Sequence, residues 1–291
     1  MSLEEKSKSG EFVVFGEFEP PKGADFSPLL AKANLVRGRL DAIVVPEMAH
    51  AVLKASSLGG CAFLESHGFE TIFQICPRDR NRLALQADIL SAPALGIKNL
   101  MIVPGEDIRH GDHFQARPVN DLDLIELLEA VQSLNSGKDM TGIQLSQPPS
   151  FYIGSNIDTG ASGGVLEVEM EQLKEKMELG VKFIVTNPIF DARHLQQFVK
   201  RIDSGQVAVI PTVLILKSLG MARYIERNVS NITIPPELTR SLQKAADKPK
   251  QCLKIAGELI ARLKEMGMNG VMISAAGWED RLPQVLDEAG L

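Results

Sequence analysis

Eight short apolar runs, most of them stopped by proline, recur along the whole 291-residue chain with helix-patterned stretches between them. The runs lie at 11–16, 41–45, 71–76, 99–103, 142–145, 182–186, 207–210 and 270–274. Proline ends a strand because it offers no N–H to a ladder. Apolar residues at helical spacing predict helices over 27–40, 49–67, 81–95, 121–134, 166–179 and 192–202. A longer helical region follows over 214–268, broken at 231–236 and 247–249, and a short helix closes the chain. Strand and helix alternating eight times is the pattern of a single-domain α/β protein, a (β/α)8 barrel. The rival is a doubly wound open sheet. Against it, the chain holds neither GxGxxG after an early strand nor GxxxxGK[ST], the nucleotide-binding fingerprints of open sheets.

Length allows this, since such barrels commonly reach about 250 residues as one domain. Residues 1–10 are polar and read as a flexible leader, leaving 11–291 for the barrel. A net charge of −6 disfavours nucleic acid or an acidic membrane as partner. No apolar run reaches the roughly 18 residues needed to span a bilayer. Three widely spaced cysteines, Cys61, Cys76 and Cys252, form no disulfide framework or CxxC site, which points to a reducing, cytoplasmic setting.

In a parallel barrel the residues leaving each strand converge on one mouth, where such enzymes keep their chemistry. Here they are Glu17 and Glu19 after the first strand, Glu47 after the second, Arg78 and Asp79 after the third, and Glu106 and Asp107 after the fourth. Gln144 and Gln147 follow near the fifth, Asn187 and Asp191 after the sixth, Lys217 after the seventh, and Trp278 with Glu279 after the eighth. Two further loops, 106–118 and 151–164, read as active-face loops. The ring has no metal-ligand spacing, and His110 and His113 read as solvated loop residues. No G-x-S-x-G elbow occurs, and Cys76, with no evident histidine partner in sequence, reads as a structural thiol. The aromatic residues of 151–154 and Trp278 read as core packing near the mouth.

The motifs at these strand ends match a known family. Gly16-Glu17-Phe18-Glu19-Pro20-Pro21-Lys22 resembles the F-E-F-x-P-P-[KR] signature of methylenetetrahydrofolate reductases. Cys76-Pro77-Arg78-Asp79-Arg80-Asn81 looks like that family's T-C-x-D/R-D-R-N segment, and Val103-Pro104-Gly105-Glu106 like its L-x-G-D turn. Val185-Thr186-Asn187-Pro188-Ile189-Phe190-Asp191 is similar to its T-Q-x-x-F-D stretch. Ile210-Pro211 with Leu214, and Ile234-Pro235-Pro236, resemble its I-P-G-I-x-P and I-P pairs.

The resemblance implies a barrel that binds a flavin, FAD with FMN as the alternative, and reduces 5,10-methylenetetrahydrofolate to 5-methyltetrahydrofolate. It implies Glu17 as the general acid in contact with the folate, and Glu106 as a second carboxylate tuning both ring systems. Flavin contacts are implied at Gln74, Arg78, Asp79, Gly105 and Glu106, with Glu169, Gln172 and Lys176 at the phosphates and ribose. Asn187 takes the place of a Gln that binds the pterin. No metal is implied, and a homo-oligomer is compatible with the pattern. The chain also departs from the family: Glu106 stands for the usual Asp, Asn187 for Gln, and Gln74 for a frequent His. Leu219 replaces a Phe that stacks on the nicotinamide in NADH-dependent bacterial members, so the electron donor is either NAD(P)H or a partner subunit. Two alternatives remain: a folate-binding or electron-relay subunit without reductase activity, and a barrel oxidoreductase acting on another pterin.

Overall fold

Alternation along the strands decides what the chain can enclose. In β1 (Val13–Glu17), Val13 and Phe15 point to one side and Val14 to the other, because successive side chains leave opposite faces of a pleat. In the computed structural model, which describes residues 1–161, 163–202 and 205–291, the first set fills a barrel and the second packs under helices. The other strands are β2 (Ala42–Val45), β3 (Thr71–Ile75), β4 (Asn99–Ile102), β5 (Tyr152–Ile157), β6 (Phe183–Ile189), β7 (Ala208–Leu214) and β8 (Gly270–Ser274). They pair in parallel, in chain order, and β8 closes on β1. This is the (β/α)8 barrel expected.

Around it run α1 (Leu3–Lys8), α2 (Ser27–Asn34), α3 (Ser57–Glu65), α4 (Arg82–Ser91), α5 (Leu124–Asn135) and α6 (Gly164–Glu178). The remaining helices are α7 (Leu195–Val199), α8 (Leu219–Asn228), α9 (Pro236–Lys244), α10 (Lys248–Glu265) and α11 (Leu282–Glu288). Two cores result. Phe15, Val44, Ile72, Met101, Phe183 and Ile210 fill the barrel interior. Outward residues such as Val14, Phe73, Leu100 and Ile184 meet the helices.

Three expectations change. Residues 1–10, expected as a leader, hold a helix: α1 carries a capping box between Ser2 and Glu5, and Leu3, 1% exposed, joins Val13 and Phe15 in the barrel interior. Tyr152 Oη donates to Ser7 Oγ at 2.7 Å, and Lys6 Nζ lies 2.6 Å from Asp41 Oδ1. A single apolar residue among charges has no periodicity to betray it.

The fifth strand is β5, not 142–145. That run forms an isolated antiparallel bridge, Lys138 to Gln144, with Ile143 exposed, so Gln144 and Gln147 do not end a barrel strand. The true strand hides in the Gly/Ser/Asn-rich stretch that reads as a loop. A Cβ on Gly154 would sit 2.1 Å from Phe183 Cζ, so the glycine makes room for the ring that stacks on Tyr152. Ser155 Oγ donates to the Ile102 carbonyl at 2.8 Å, so neither residue is a misfit in the interior.

The helix expected over 49–67 starts only at Ser57, with Ser56 as its N-cap. Before it, Met48, His50 and Ala51 take positive φ, a conformation no helix continues through.

Candidate active site

Glu17 is the last residue of β1, and β-pleat alternation after Val13 and Phe15 turns it into the upper barrel interior. Its Oε1 accepts a 2.7 Å hydrogen bond from Ser274 Oγ, at the end of β8. Burial pushes the Glu17 carboxyl above its ordinary range, and the charges of Glu19 and Glu279 push the same way. The Ser274 bond and nearby His50 pull it down, but burial prevails. Glu19, two residues on, is drawn outward to Lys54 Nζ at 3.1 Å. The two strand-end glutamates therefore separate, Glu17 to the Ser274 hydroxyl within the barrel and Glu19 to an ion pair with Lys54.

The exits of β2, β3 and β4 lock together. The Glu47 carboxylate is enclosed, meeting Arg80 Nη2 at 3.0 Å and the Ser57 N–H at 2.9 Å. Gln74, at the inward position of β3, accepts from the Glu47 N–H at 2.9 Å. Arg78 is buried, donating from Nε and Nη2 to Asp79 at 2.8 and 2.7 Å and from Nη1 to the Glu106 carbonyl at 3.0 Å. Gly105, at φ +79°, lies against Cys76 and Arg78. Burial lifts the Cys76 thiol to about 11, so it is no nucleophile at neutral pH.

Glu106 is half-exposed, and its Oε1 lies 3.0 Å from His50 Nδ1. Burial works to raise its carboxyl, but His50 and Arg78 outweigh it, and the group sits below its ordinary range. Two carboxyl groups at one mouth are thus driven apart, Glu17 toward the acid and Glu106 toward the carboxylate. A cavity of about 540 Å³ opens beside Glu106, lined also by Arg78, Gly105, Arg109, Phe114 and Pro118.

On the far side, Lys176 of α6 is 3% exposed and donates from Nζ to the Asn156 carbonyl of β5 at 2.8 Å. Burial lowers its ammonium pKa, against the pull of Glu169. Asn156 Oδ1 is buried without a hydrogen-bond partner. Glu169 accepts from the Asp158 N–H at 3.2 Å, while Gln172 is exposed.

The β6–β7 ladder shifts register between Val185 and Pro188, where the proline has no N–H to give. Beside this shift the Thr186 hydroxyl accepts the Thr212 N–H at 3.1 Å. Past this irregularity Asn187 accepts from Thr159 N and Oγ1 at 3.1 and 3.0 Å and donates to Asp158 Oδ1 at 2.8 Å. It lines a cavity of about 290 Å³ with Phe190, Arg193, His194 and Asn231.

The expected residues therefore form two groups, Glu17, Gln74, Arg78, Asp79, Gly105 and Glu106 on β1, β3 and β4, and Glu169, Lys176 and Asn187 around β5 and β6. Sequence reading missed Ser274, His50 and Asn156. Ser274 was findable, as the strand-end residue facing β1. Tyr152, expected near the mouth, lies at the opposite end, on α1. Among the described residues no cluster of three or more His, Cys, Asp or Glu could hold a metal, and no helix is long and apolar enough to cross a membrane.

Solved structures share the architecture. An uncharacterized protein from Clostridium thermocellum that binds two copies of 5-methyl-5,6,7,8-tetrahydrofolic acid is similar at a TM-score of 0.65 and 14% identity, covering 99% of this chain and 97% of that one. 2,3-Dimethylmalate lyase, of the PEP mutase/isocitrate lyase superfamily, is similar at 0.57 and 10% identity, covering 99% and 86%. At such identities the likeness is one of fold. Residues 2–290 match the model of the methylenetetrahydrofolate reductase family, and the chain belongs to that family.

Proposed function

We propose that the protein binds a reduced folate at the C-terminal mouth of its barrel and reduces 5,10-methylenetetrahydrofolate to 5-methyltetrahydrofolate. The observation that carries this reading is the part-buried Glu17 carboxyl at the end of β1, held by Ser274 and kept protonated to higher pH by its desolvation. Such a group can give its proton to the bridging folate nitrogen, which then leaves the methylene carbon as an iminium electrophile. Glu106, ionised at neutral pH, supplies an acceptor for the pterin's amide N–H and amine. Asn187 offers the amide expected to bind the pterin, already oriented by Thr159 and Asp158.

A flavin dinucleotide suits the β3–β5 side of the mouth. Asn156 Oδ1 is an acceptor in want of a donor, and Lys176 spends one of its three donors on Asn156 O. Lys176, Glu169 and Gln172 would hold its phosphates and ribose; Gln74, Arg78, Asp79, Gly105 and Glu106 would border its ring. When bound, the flavin supplies the hydride that completes the methyl group. Electrons reach it from NAD(P)H or from a partner subunit, and three buried, unlinked cysteines suit a reducing cytoplasm.

The test is a visible spectrum of the purified protein, then turnover of methylenetetrahydrofolate with an artificial electron donor. Glu17→Gln is expected to bind folate and flavin as before and to lose about 100-fold or more in turnover. The folate-binding neighbour favours a second reading, a binding subunit without reductase activity. Wild-type protein that binds 5-methyltetrahydrofolate, yet never reduces the methylene form with flavin and donor present, establishes that reading.

A further inference from the structure

The exit loop of β2 runs through three left-handed residues that are not glycine, Met48 at φ 44°, His50 at 57° and Ala51 at 53°. A side chain with a Cβ disfavours this conformation, so something outside the loop must impose it. Gly111, in the loop after β4, packs directly against this one: a Cβ there would fall 1.9 Å from the Ala51 carbonyl oxygen, so only glycine lets the two loops approach this closely. Beside it, Asp112 Oδ1 accepts from the Leu53 N–H at 2.9 Å and meets His113 Nδ1 at 2.8 Å, while Oδ2 pairs with Lys22 from the β1 exit. Three mouth loops are thereby tied to one another.

The result is an imidazole aimed at a carboxylate. His50 Nδ1 lies 3.0 Å from Glu106 Oε1, although the ring is 80% exposed. Packing does not hold the ring there; the left-handed backbone aims it. The charged groups around the pair are Glu17 and Glu19 from the β1 exit, facing His50, and Arg78 from the β3 exit, facing Glu106.

We propose that His50 is a positioning residue of the folate site, its Nδ1–H fixing the Glu106 carboxylate so that the second oxygen serves as acceptor for the donor edge of a reduced pterin. This rests on the folate reading above. The Glu106 hydrogen bond raises the imidazole above its ordinary 6.5, and His50 helps keep Glu106 below 4.5. Both partners are therefore charged between those limits. The pair is lost on the acid side as Glu106 takes a proton and on the alkaline side as His50 gives one up.

The experiment combines an NMR titration of the His50 ring with 5-methyltetrahydrofolate affinity across pH. The ring is expected to titrate above 6.5 in the wild-type protein and to fall back toward it in Glu106→Gln. Gly111→Ala, which keeps both side chains but forces the loops apart, is expected to do the same. His50→Gln should weaken folate binding about two- to fivefold near pH 6, and by less as pH rises and the wild-type ring loses its charge, the neutral ring keeping only its N–H donor. An identical ring titration in wild type and Glu106→Gln, or a His50→Gln affinity equal to wild type at every pH, overturns the proposal and leaves the folate reading intact. Wild-type protein with no affinity for the reduced folate overturns the folate reading, and this role with it.

Discussion

Ser274 Oγ donates a 2.7 Å hydrogen bond to Glu17 Oε1, and the register of β8 on β1 sets these two residues opposite each other. They come from strands 257 residues apart in the chain, so closing the barrel is what gives the acid its partner. A hydrogen bond to the charged form lowers a carboxyl pKa, while the surrounding burial raises it. The balance is adjustable through a single hydroxyl.

Ser274→Ala removes the lowering contribution and leaves the burial. The Glu17 carboxyl then rises further and keeps its proton to higher pH. The alkaline limb of the pH–turnover profile should move up by about 0.5 to 1 pH unit, given a net hydrogen-bond strength of roughly 1 kcal/mol. A limb that stays in place or moves down contradicts the role given to this contact.

Leu3→Ala tests whether α1 belongs to the barrel. Leu3 shares the interior with Val13 and Phe15, and truncating such a side chain costs about 2 to 4 kcal/mol. Urea unfolding should show that loss in the midpoint, with folate affinity unchanged. An unaltered midpoint would mean that the segment is frayed in solution.

Gly154→Ala places a methyl group on the Phe183 ring, 2.1 Å from Cζ before relaxation. Overpacking of this kind costs about 1 to 3 kcal/mol. Phe183→Leu in the same chain should recover part of it, and a double-mutant cycle measures the coupling. Strict additivity would show that the two residues do not meet.

Glu47→Ala strips Arg80 and the Ser57 N–H of a carboxylate whose side chain is fully enclosed. Leaving a buried charge alone typically costs about 3 to 5 kcal/mol; Arg80 keeps Asp88 at 3.0 Å, so calorimetry should show a fall smaller than that. Glu47→Gln keeps an acceptor for Ser57 and should lose less.

The alternation of apolar runs with helix-patterned stretches determined the barrel, because each strand needs one face toward an interior and one toward a helix. The placement of Glu17 followed from pleat period and the Pro20-Pro21 stop, both local. What local pattern misjudged was β5, where Gly154 and Ser155 look like loop residues until Phe183 and Ile102 stand beside them, and α1, whose one buried leucine carries no period. Only the tertiary structure decided the partners of the mouth: Ser274 reaches Glu17 through barrel closure, and His50 meets Glu106 where the loops after β2 and β4 come together at Gly111 and Ala51. Contacts made across such sequence separations depend on three-dimensional approach of whole elements, and residue order within any one element does not encode them.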